Sequence, residues 1–186
     1  MELKAFINWK IYDKNGILLE ESEHRANSLV RQFMCLVLKD MFDALGLNIR
    51  DTGNTLRLLN TSQSMMTVDA AAISDLYGIL VGTGTNAVTV LDYALQTKIA
   101  HGTGAGQLSY GACTVSADVI EDGSDVYFLI QRIFTNSSGG DITIKEVGIA
   151  AKDSGTQYFL YDRTLSEKTI TNGSNATLTY KIKISV

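Results

Sequence analysis

The chain has 186 residues, of which 45% are hydrophobic and 19% charged, a balance that excludes a disordered or collagen-like polypeptide. Its net charge of −4 gives no basic excess with which to displace counterions from phosphates, so we expect no nucleic-acid partner. No apolar run approaches the roughly 20 residues that cross a bilayer, so we expect no membrane partner either. We predict one β-rich domain over residues 1–186, made and folded in a cytoplasm because the N-terminus lacks a secretory signal pattern.

The N-terminal segment predicts a β-hairpin. Residues 3–12 have the composition of a strand, and Asp13-Lys-Asn-Gly16 supplies a turn in which Asn-Gly takes positive φ at low cost. Residues 17–21 would form the returning strand.

A single helix is predicted next, from about Ser28 to Leu45. Asn27 or Ser28 would cap it, and Gly46 would end it in the left-handed conformation. Two apolar faces cover most of its circumference; they contain Leu29, Phe33, Leu36 and Val37, and Val30, Met34, Leu38, Met41 and Leu45. The polar edge is narrow, at Arg31, Lys39, Asp40 and Asp43. We therefore expect this helix to be buried, either under a sheet or in a subunit interface.

The middle of the chain predicts little regular structure. Residues 46–75 are polar and irregular, with a weak strand at Thr55–Leu59. A segment of that length without firm structure is usually functional, mobile or ordered by a partner. Leu76–Val81 predicts a short buried strand, and residues 82–106 are rich in glycine, threonine and alanine.

The last eighty residues predict five strands joined by turns rich in glycine, serine, asparagine and aspartate. The predicted strands are Gln107–Ile120, Val126–Asn136, Ile142–Ala151, Gln157–Thr164 and Ala176–Val186. In the last of them, apolar residues from Leu178 to Val186 alternate with Thr, Lys and Ser, so one face is buried and one is wet. The fold class is mainly β: an antiparallel β-sandwich or jelly-roll-like domain with one buried α-helix near residues 28–45.

Two glycine-rich loops bear on phosphate binding. Gly82-Thr-Gly84-Thr-Asn-Ala87 follows a strand and fits the dinucleotide pattern, but β-branched residues at Val88–Val90 disfavour the required helix. The loop beginning at His101 lacks the closing Gly-Lys of a phosphate loop. Both are interpreted as loops that need backbone freedom.

The polar residues elsewhere give no clear reactive site. His24 and His101 are the only histidines and form no metal-binding pair. Cys35 and Cys113 lie in apolar segments and are interpreted as small buried hydrophobic residues. An acidic group, Asp118, Glu121, Asp122 and Asp125, is interpreted as a solvated hairpin tip, with calcium binding as the alternative. We predict no catalytic residue, no cofactor and no metal site.

Arg132 and Glu146 occupy neighbouring strands of a predicted hairpin whose turn is at 137–141. They would be near cross-strand partners, and such a pair would fix the register of the two strands. The alternative is two separately solvated side chains.

Two strings carry a family likeness. One is Val-Gly-Thr-Gly-Thr-Asn-Ala-Val-Thr-Val-Leu-Asp-Tyr-Ala-Leu at 81–95, and the other is Arg-Ile-Phe-Thr-Asn followed by a strand containing Glu-Val-Gly, at 132–149. With the Asn-Ser-Leu-Val-Arg-Gln-Phe segment at 27–33, they resemble virion structural proteins of tailed bacteriophages. The resemblance implies a non-enzymatic β-rich protein that assembles as symmetric copies on a capsid or tail.

The function expected from this resemblance is that of a capsid decoration, or cement, protein that bridges capsid subunits in the virion. The major capsid protein or other virion proteins would be its partners, and a trimer is the favoured homo-oligomer. The N-terminal hairpin and residues 46–75 are the expected contact elements. One alternative is a tail, collar or fibre-attachment protein. Another is a carbohydrate-binding β-sandwich, with Trp9, Tyr77, Tyr93 and Tyr110 as the available platform residues.

Overall fold

The structure, a computed structural model, describes residues 2–26, 29–42, 46–58 and 67–185. The elements in these ranges are β1 (Glu2–Tyr12), β2 (Leu18–Ala26), α1 (Arg31–Phe42), β3 (Asn48–Arg50), β4 (Leu56–Leu58), β5 (Gly78–Gly82), β6 (Ser109–Val115), β7 (Ile120–Asp122), β8 (Asp125–Thr135), β9 (Ile142–Lys152), β10 (Tyr158–Ile170) and β11 (Asn175–Ser185). No helix among the described residues is long and apolar enough to span a bilayer.

Two antiparallel sheets pack face to face. The larger has six strands in the order β2-β1-β11-β8-β6, with β7 paired to β8, and the smaller has the order β10-β9-β5. Trp9 and Phe134 from the larger sheet share one core with Ile144 and Val147 from the smaller, and all four are fully buried. The predicted antiparallel, mainly β sandwich is confirmed.

The predicted N-terminal hairpin is also confirmed, although its second strand runs to Ala26. The Asp13 carboxylate accepts the N–H groups of Asn15 and Ile17, and Gly16 has a φ of +80°. The strands from Val126, Ile142 and Ala176 were predicted to within one residue at each described end. The weak strand near residue 55 exists as β4, paired with β3.

Three strand predictions were wrong in detail. The strand predicted over Gln107–Ile120 breaks after Val115, because Ser116 Oγ accepts the N–H of Leu129 (3.1 Å) and Asp118 bonds the adjacent main chain. The strand predicted to end at Thr164 continues to Ile170. The hairpin predicted at 137–141 does not form, since β8 pairs with β11 and β9 pairs with β10, in different sheets.

The helix begins three residues later than predicted, at Arg31, and its described part ends at Phe42. Residues 27, 28 and 43–45, which include both predicted caps, lie outside the described residues. Gly46 has a φ of +77°, the left-handed conformation expected of it.

The helix was predicted to be buried, either under a sheet or in a subunit interface, and within the single chain only one of its sides is covered. Cys35 and Leu36 pack against Phe159 of β10, but Met34 is 60% exposed and Leu38 is 44% exposed. Lys39, placed by the sequence on the polar edge, is 3% exposed. The helix packs on the sandwich through one side, and nothing among the described residues covers Met34 and Leu38.

Candidate functional site

The loop after β5 folds around the carboxylate of Glu146, which is fully buried on β9. Its Oε1 accepts the N–H groups of Gly84 (3.0 Å) and Thr97 (2.7 Å), and its Oε2 accepts that of Gln96 (3.0 Å). A Cβ at Gly82 would stand 2.6 Å from Oε1, so this close approach requires glycine. The Gly-x-Gly loop is tightly turned, and its N–H groups are bonded within the chain: that of Gly84 to Glu146, that of Thr83 to the carbonyl of Thr97, and those of Thr85 and Asn86 to Gln96 Oε1.

Arg163 of β10 joins the two strings that carry the family likeness. Its Nε donates to Glu146 Oε2 (2.7 Å), and its Nη1 donates to Asp92 Oδ2 (2.8 Å). Its Nη2 donates to the carbonyl of Asn86 (3.1 Å). Burial opposes the charge of Arg163, but the hydrogen bonds to Asp92 and Glu146 dominate and raise its pKa. The residue was missed from the sequence, where its only signal is a charged Asp162-Arg163 pair inside an otherwise apolar predicted strand.

Arg132 of β8 holds another segment, residues 71–79, by hydrogen bonds from its guanidinium. Its guanidinium is fully buried and donates five hydrogen bonds to main-chain carbonyls; the acceptors are Gly111 (2.9 Å), Tyr77 (3.0 Å), Ile79 (3.0 Å), Ala71 (3.4 Å) and Ser74. It also stacks on the ring of Tyr110, 4.8 Å from the centroid. Desolvation lowers the pKa of Arg132.

The expected Arg132–Glu146 cross-strand pair was therefore wrong, and so was the alternative of two solvated side chains. The two residues lie in different sheets, are both fully buried, and hold different loops. Phe134 and Asn136, on the same face as Arg132, are also fully buried. The amide of Asn136 donates to the carbonyls of Gly140 (2.9 Å) and Ile170 (2.7 Å), so the Arg-x-Phe-x-Asn string is architectural.

The histidines have local structural contacts. His101 Nδ1 accepts the main-chain N–H of Tyr110 (3.1 Å), and the main-chain N–H of His101 donates to Asp75 Oδ2 (2.9 Å). His24 lies half-buried on β2, and its Nε2 has no hydrogen-bond partner among the described residues. Desolvation, and then the charge of Lys168, lower the pKa of His24.

The other positions singled out from the sequence differ in their exposure to solvent. Cys35 and Cys113 are both buried as free thiols, as expected, and burial raises the pKa of Cys113. Glu121 and Asp122 of the acidic tip are exposed. No group of three or more His, Cys, Asp or Glu side chains within the described ranges is arranged to hold a metal ion.

Of the four aromatic residues available to a carbohydrate platform, two are buried and two, Tyr77 and Tyr93, are half-buried. Trp9 is fully buried and Tyr110 is 2% exposed, so neither can stack on a sugar. Tyr77 remains half-exposed and stacks on Tyr158, with ring centroids 6.0 Å apart.

Six large apolar side chains are exposed on α1, β4 and the loop after β5, and we call this set the apolar face. They are Met34 (60% exposed) and Leu38 (44%) of α1, Leu56 (58%) and Leu58 (54%) of β4, and Val90 (69%) and Leu91 (68%) of the loop after β5. The three elements are joined, since Arg31 donates its N–H to the carbonyl of Val90 (2.8 Å) and its Nη1 to the carbonyl of Asn48 in β3 (3.1 Å).

A depression of about 350 Å³ lies within this face, and we call it the basic depression. It is lined by Arg31, Gln32, Asn48, Arg50, Leu56 and Leu91. Gln32 is 3% exposed, and its Oε1 has no hydrogen-bond partner in the described part of the chain. An acceptor buried without a partner costs about 1–3 kcal/mol, which favours a ligand that supplies a donor.

The chain was compared with known protein families, with curated proteins and with solved structures, and it matched none of them.

Proposed function

We propose that the chain is a non-enzymatic structural protein of a tailed-phage virion, a capsid decoration protein that bridges neighbouring capsid subunits and is itself oligomeric, as a trimer. The observation that carries the proposal is the apolar face, whose six large side chains are each at least 44% exposed. Large apolar side chains exposed on neighbouring elements are typical of a site of protein association. The phage context comes from the resemblance of residues 81–95 and 132–149.

The buried charges support this role because they position part of the apolar face. Val90 and Leu91 immediately precede Asp92, whose carboxylate accepts hydrogen bonds from Thr89 and Arg163. Glu146 holds the two ends of the same loop. A loop fixed in this way presents its apolar side chains with little loss of conformational entropy on docking.

The mechanism would be burial of apolar surface area at each contact, and the symmetry of the shell would repeat that contact. Each apolar side chain contributes about 25 cal/mol for every Å² removed from water, so a single copy binds modestly. Many copies on a symmetric shell, linked through their own oligomer contacts, bind with high avidity.

Co-sedimentation tests the proposal. The purified chain is mixed with particles of the phage that encodes it, stripped of this protein, and centrifuged through a density gradient. We expect wild type to travel with the particles and Met34→Ser/Leu38→Ser to remain at the top. The matched control is Ile133→Ser on β8, a 47% exposed position away from the apolar face, which should bind like wild type.

Two alternatives remain distinguishable in the same preparation. A tail, collar or fibre-attachment protein would bind tails but not isolated heads. A carbohydrate-binding protein would bind a glycan array without binding particles, and the half-exposed Tyr77–Tyr158 stack is the surface on which that alternative depends.

A further inference from the structure

The basic depression has the chemistry of a binding site for an acidic, partly apolar peptide segment. Arg31 and Arg50 are both exposed, and their hydrogen bonds within the described residues use only Nη1 of each guanidinium. Nε and Nη2 of both arginines are therefore available to a carboxylate, which guanidinium groups bind in bidentate fashion. The depression lies at the N-terminal end of a 12-residue helix without acidic residues in its first turn, which adds to the positive potential.

The buried amide of Gln32 adds a second, independent requirement. Its Nε2 is 3.4 Å from the carbonyl of Arg50, while its Oε1 has no donor among the described residues. A ligand that fits must bring an N–H or O–H group beside its carboxylates. Leu56 and Leu91, on the walls, require an apolar group as well.

The β7–β8 hairpin of this chain carries that combination. Glu121 and Asp122 are exposed at its tip, where Gly123 has a φ of +61°, and Ser124 offers an exposed hydroxyl. Val119, just before β7, is 54% exposed. β7 pairs only with β8, so the tip stands at the margin of the larger sheet.

We propose that the basic depression of one copy binds the β7–β8 hairpin tip of a second copy. The carboxylates of Glu121 and Asp122 would pair with Arg31 and Arg50, and Ser124 or the turn N–H groups would donate to Gln32 Oε1. The contact is head-to-tail, so it generates a closed ring when its rotation closes. This contact rests on the proposed assembly function and names one partner, a second copy of the chain. It can be tested without a phage particle.

Two other surfaces do not support a binding proposal. The free edge of β2 bears exposed Glu20, Glu21 and Glu23, and charges of this kind protect an edge strand from pairing. An apolar cavity of about 320 Å³ at one end of the sandwich, lined by residues such as Leu3, Phe128 and Ile182, has nothing in the structure to show what fills it.

Charge reversal with rescue tests the inference, using sedimentation velocity over a range of concentrations and salt. Wild type should associate, and more weakly as salt is raised, because exposed ion pairs are screened. Arg31→Glu/Arg50→Glu and Glu121→Lys/Asp122→Lys should each weaken association roughly thirtyfold or more, the usual cost of unpairing interfacial charges. The quadruple variant, with both charges reversed, should recover association.

The matched control is Glu23→Lys/Glu167→Lys, which changes net charge by the same amount as the tip variant at two exposed positions elsewhere. It should associate like wild type, and circular dichroism should show every variant folded. The inference is overturned if wild type stays monomeric, if neither reversal weakens association, or if the folded quadruple variant fails to recover it. Particle binding that persists in a monomeric wild type would overturn this contact and the proposed trimer, and would leave the bridging of capsid subunits standing.

Discussion

Arg163 bonds two carboxylates and one carbonyl while being almost fully buried, and through them it fixes the loop that presents Val90 and Leu91. A buried charge that loses its partner is costly, because desolvation is no longer offset. Asp92 and Glu146, one in each of the strings at 81–95 and 132–149, thus belong to a structural hydrogen-bond network.

Removal of Arg163 should therefore be strongly destabilising. Arg163→Met leaves Glu146 buried without its cationic partner, and we expect the free energy of unfolding to fall by about 3–5 kcal/mol. Lys10→Met, which breaks an exposed pair with Glu21, should cost less than about 1 kcal/mol. Urea unfolding followed by circular dichroism measures both, and similar losses in the two variants would contradict the assigned role of Arg163.

His24 predicts a particular dependence of stability on pH. Desolvation and Lys168 lower its pKa in the folded state, whereas in the unfolded chain it is about 6.5. The unfolded chain therefore binds the proton more readily, so stability should fall as pH drops below about 6.5 and stop falling once pH passes below the folded pKa.

The measurement compares the free energy of unfolding of wild type and His24→Gln, obtained by urea unfolding at pH values from roughly 7.5 to 5, an interval that contains the ordinary histidine pKa. Carboxylates contribute equally to both proteins, so the difference between them isolates the histidine. Wild type should lose more stability than the variant over this interval. Parallel pH profiles would show that His24 titrates normally.

At the scale of elements, alternation of apolar and polar residues predicted the strands well but could not assign them to sheets. Arg132 and Glu146 were expected to face each other because β8 and β9 are consecutive in sequence. Instead, β8 pairs with β11, which is distant in the chain, and β9 pairs with the strand that follows it, β10. Main-chain carbonyls accept the hydrogen bonds of Arg132, whereas main-chain N–H groups and Arg163 donate to Glu146. No residue pattern identifies such main-chain partners.

The helix shows a related limit of prediction from sequence. Its apolar circumference predicts burial. An apolar helix face does not indicate, however, whether the same chain or another chain covers it. Met34 and Leu38 are the face left open in the single chain, and a subunit interface at this face stays a prediction.

The two faces of α1 should respond differently to mutation. Met34→Ser/Leu38→Ser removes exposed side chains, so the free energy of unfolding should change by no more than about 0.5 kcal/mol per substitution. Leu36→Ala, at a position 2% exposed, should cost about 2–5 kcal/mol. Thermal and urea unfolding of the monomer measure both. A large loss in the double serine variant would mean that this face packs within its own chain.

At the scale of the whole molecule, a rigid sandwich carries the apolar face and an acidic hairpin tip at a sheet margin. The N-terminal hairpin, expected as a contact element, exposes Ile17, Leu18 and Leu19 near its turn and offers a further surface of the same kind. Of residues 46–75, the β3–β4 pair contributes Leu56 and Leu58 to the apolar face. Surfaces of this sort suit a subunit that works by fitting against its neighbours.

The copy number of the chain in purified phage particles tests this account most directly. Quantitative mass spectrometry against the major capsid protein measures it. A capsid decoration protein repeats with the symmetry of the shell, so we predict hundreds of copies per particle, recovered with heads. About three to twelve copies, recovered with tails, would contradict decoration, and absence from the particle would contradict the virion function altogether.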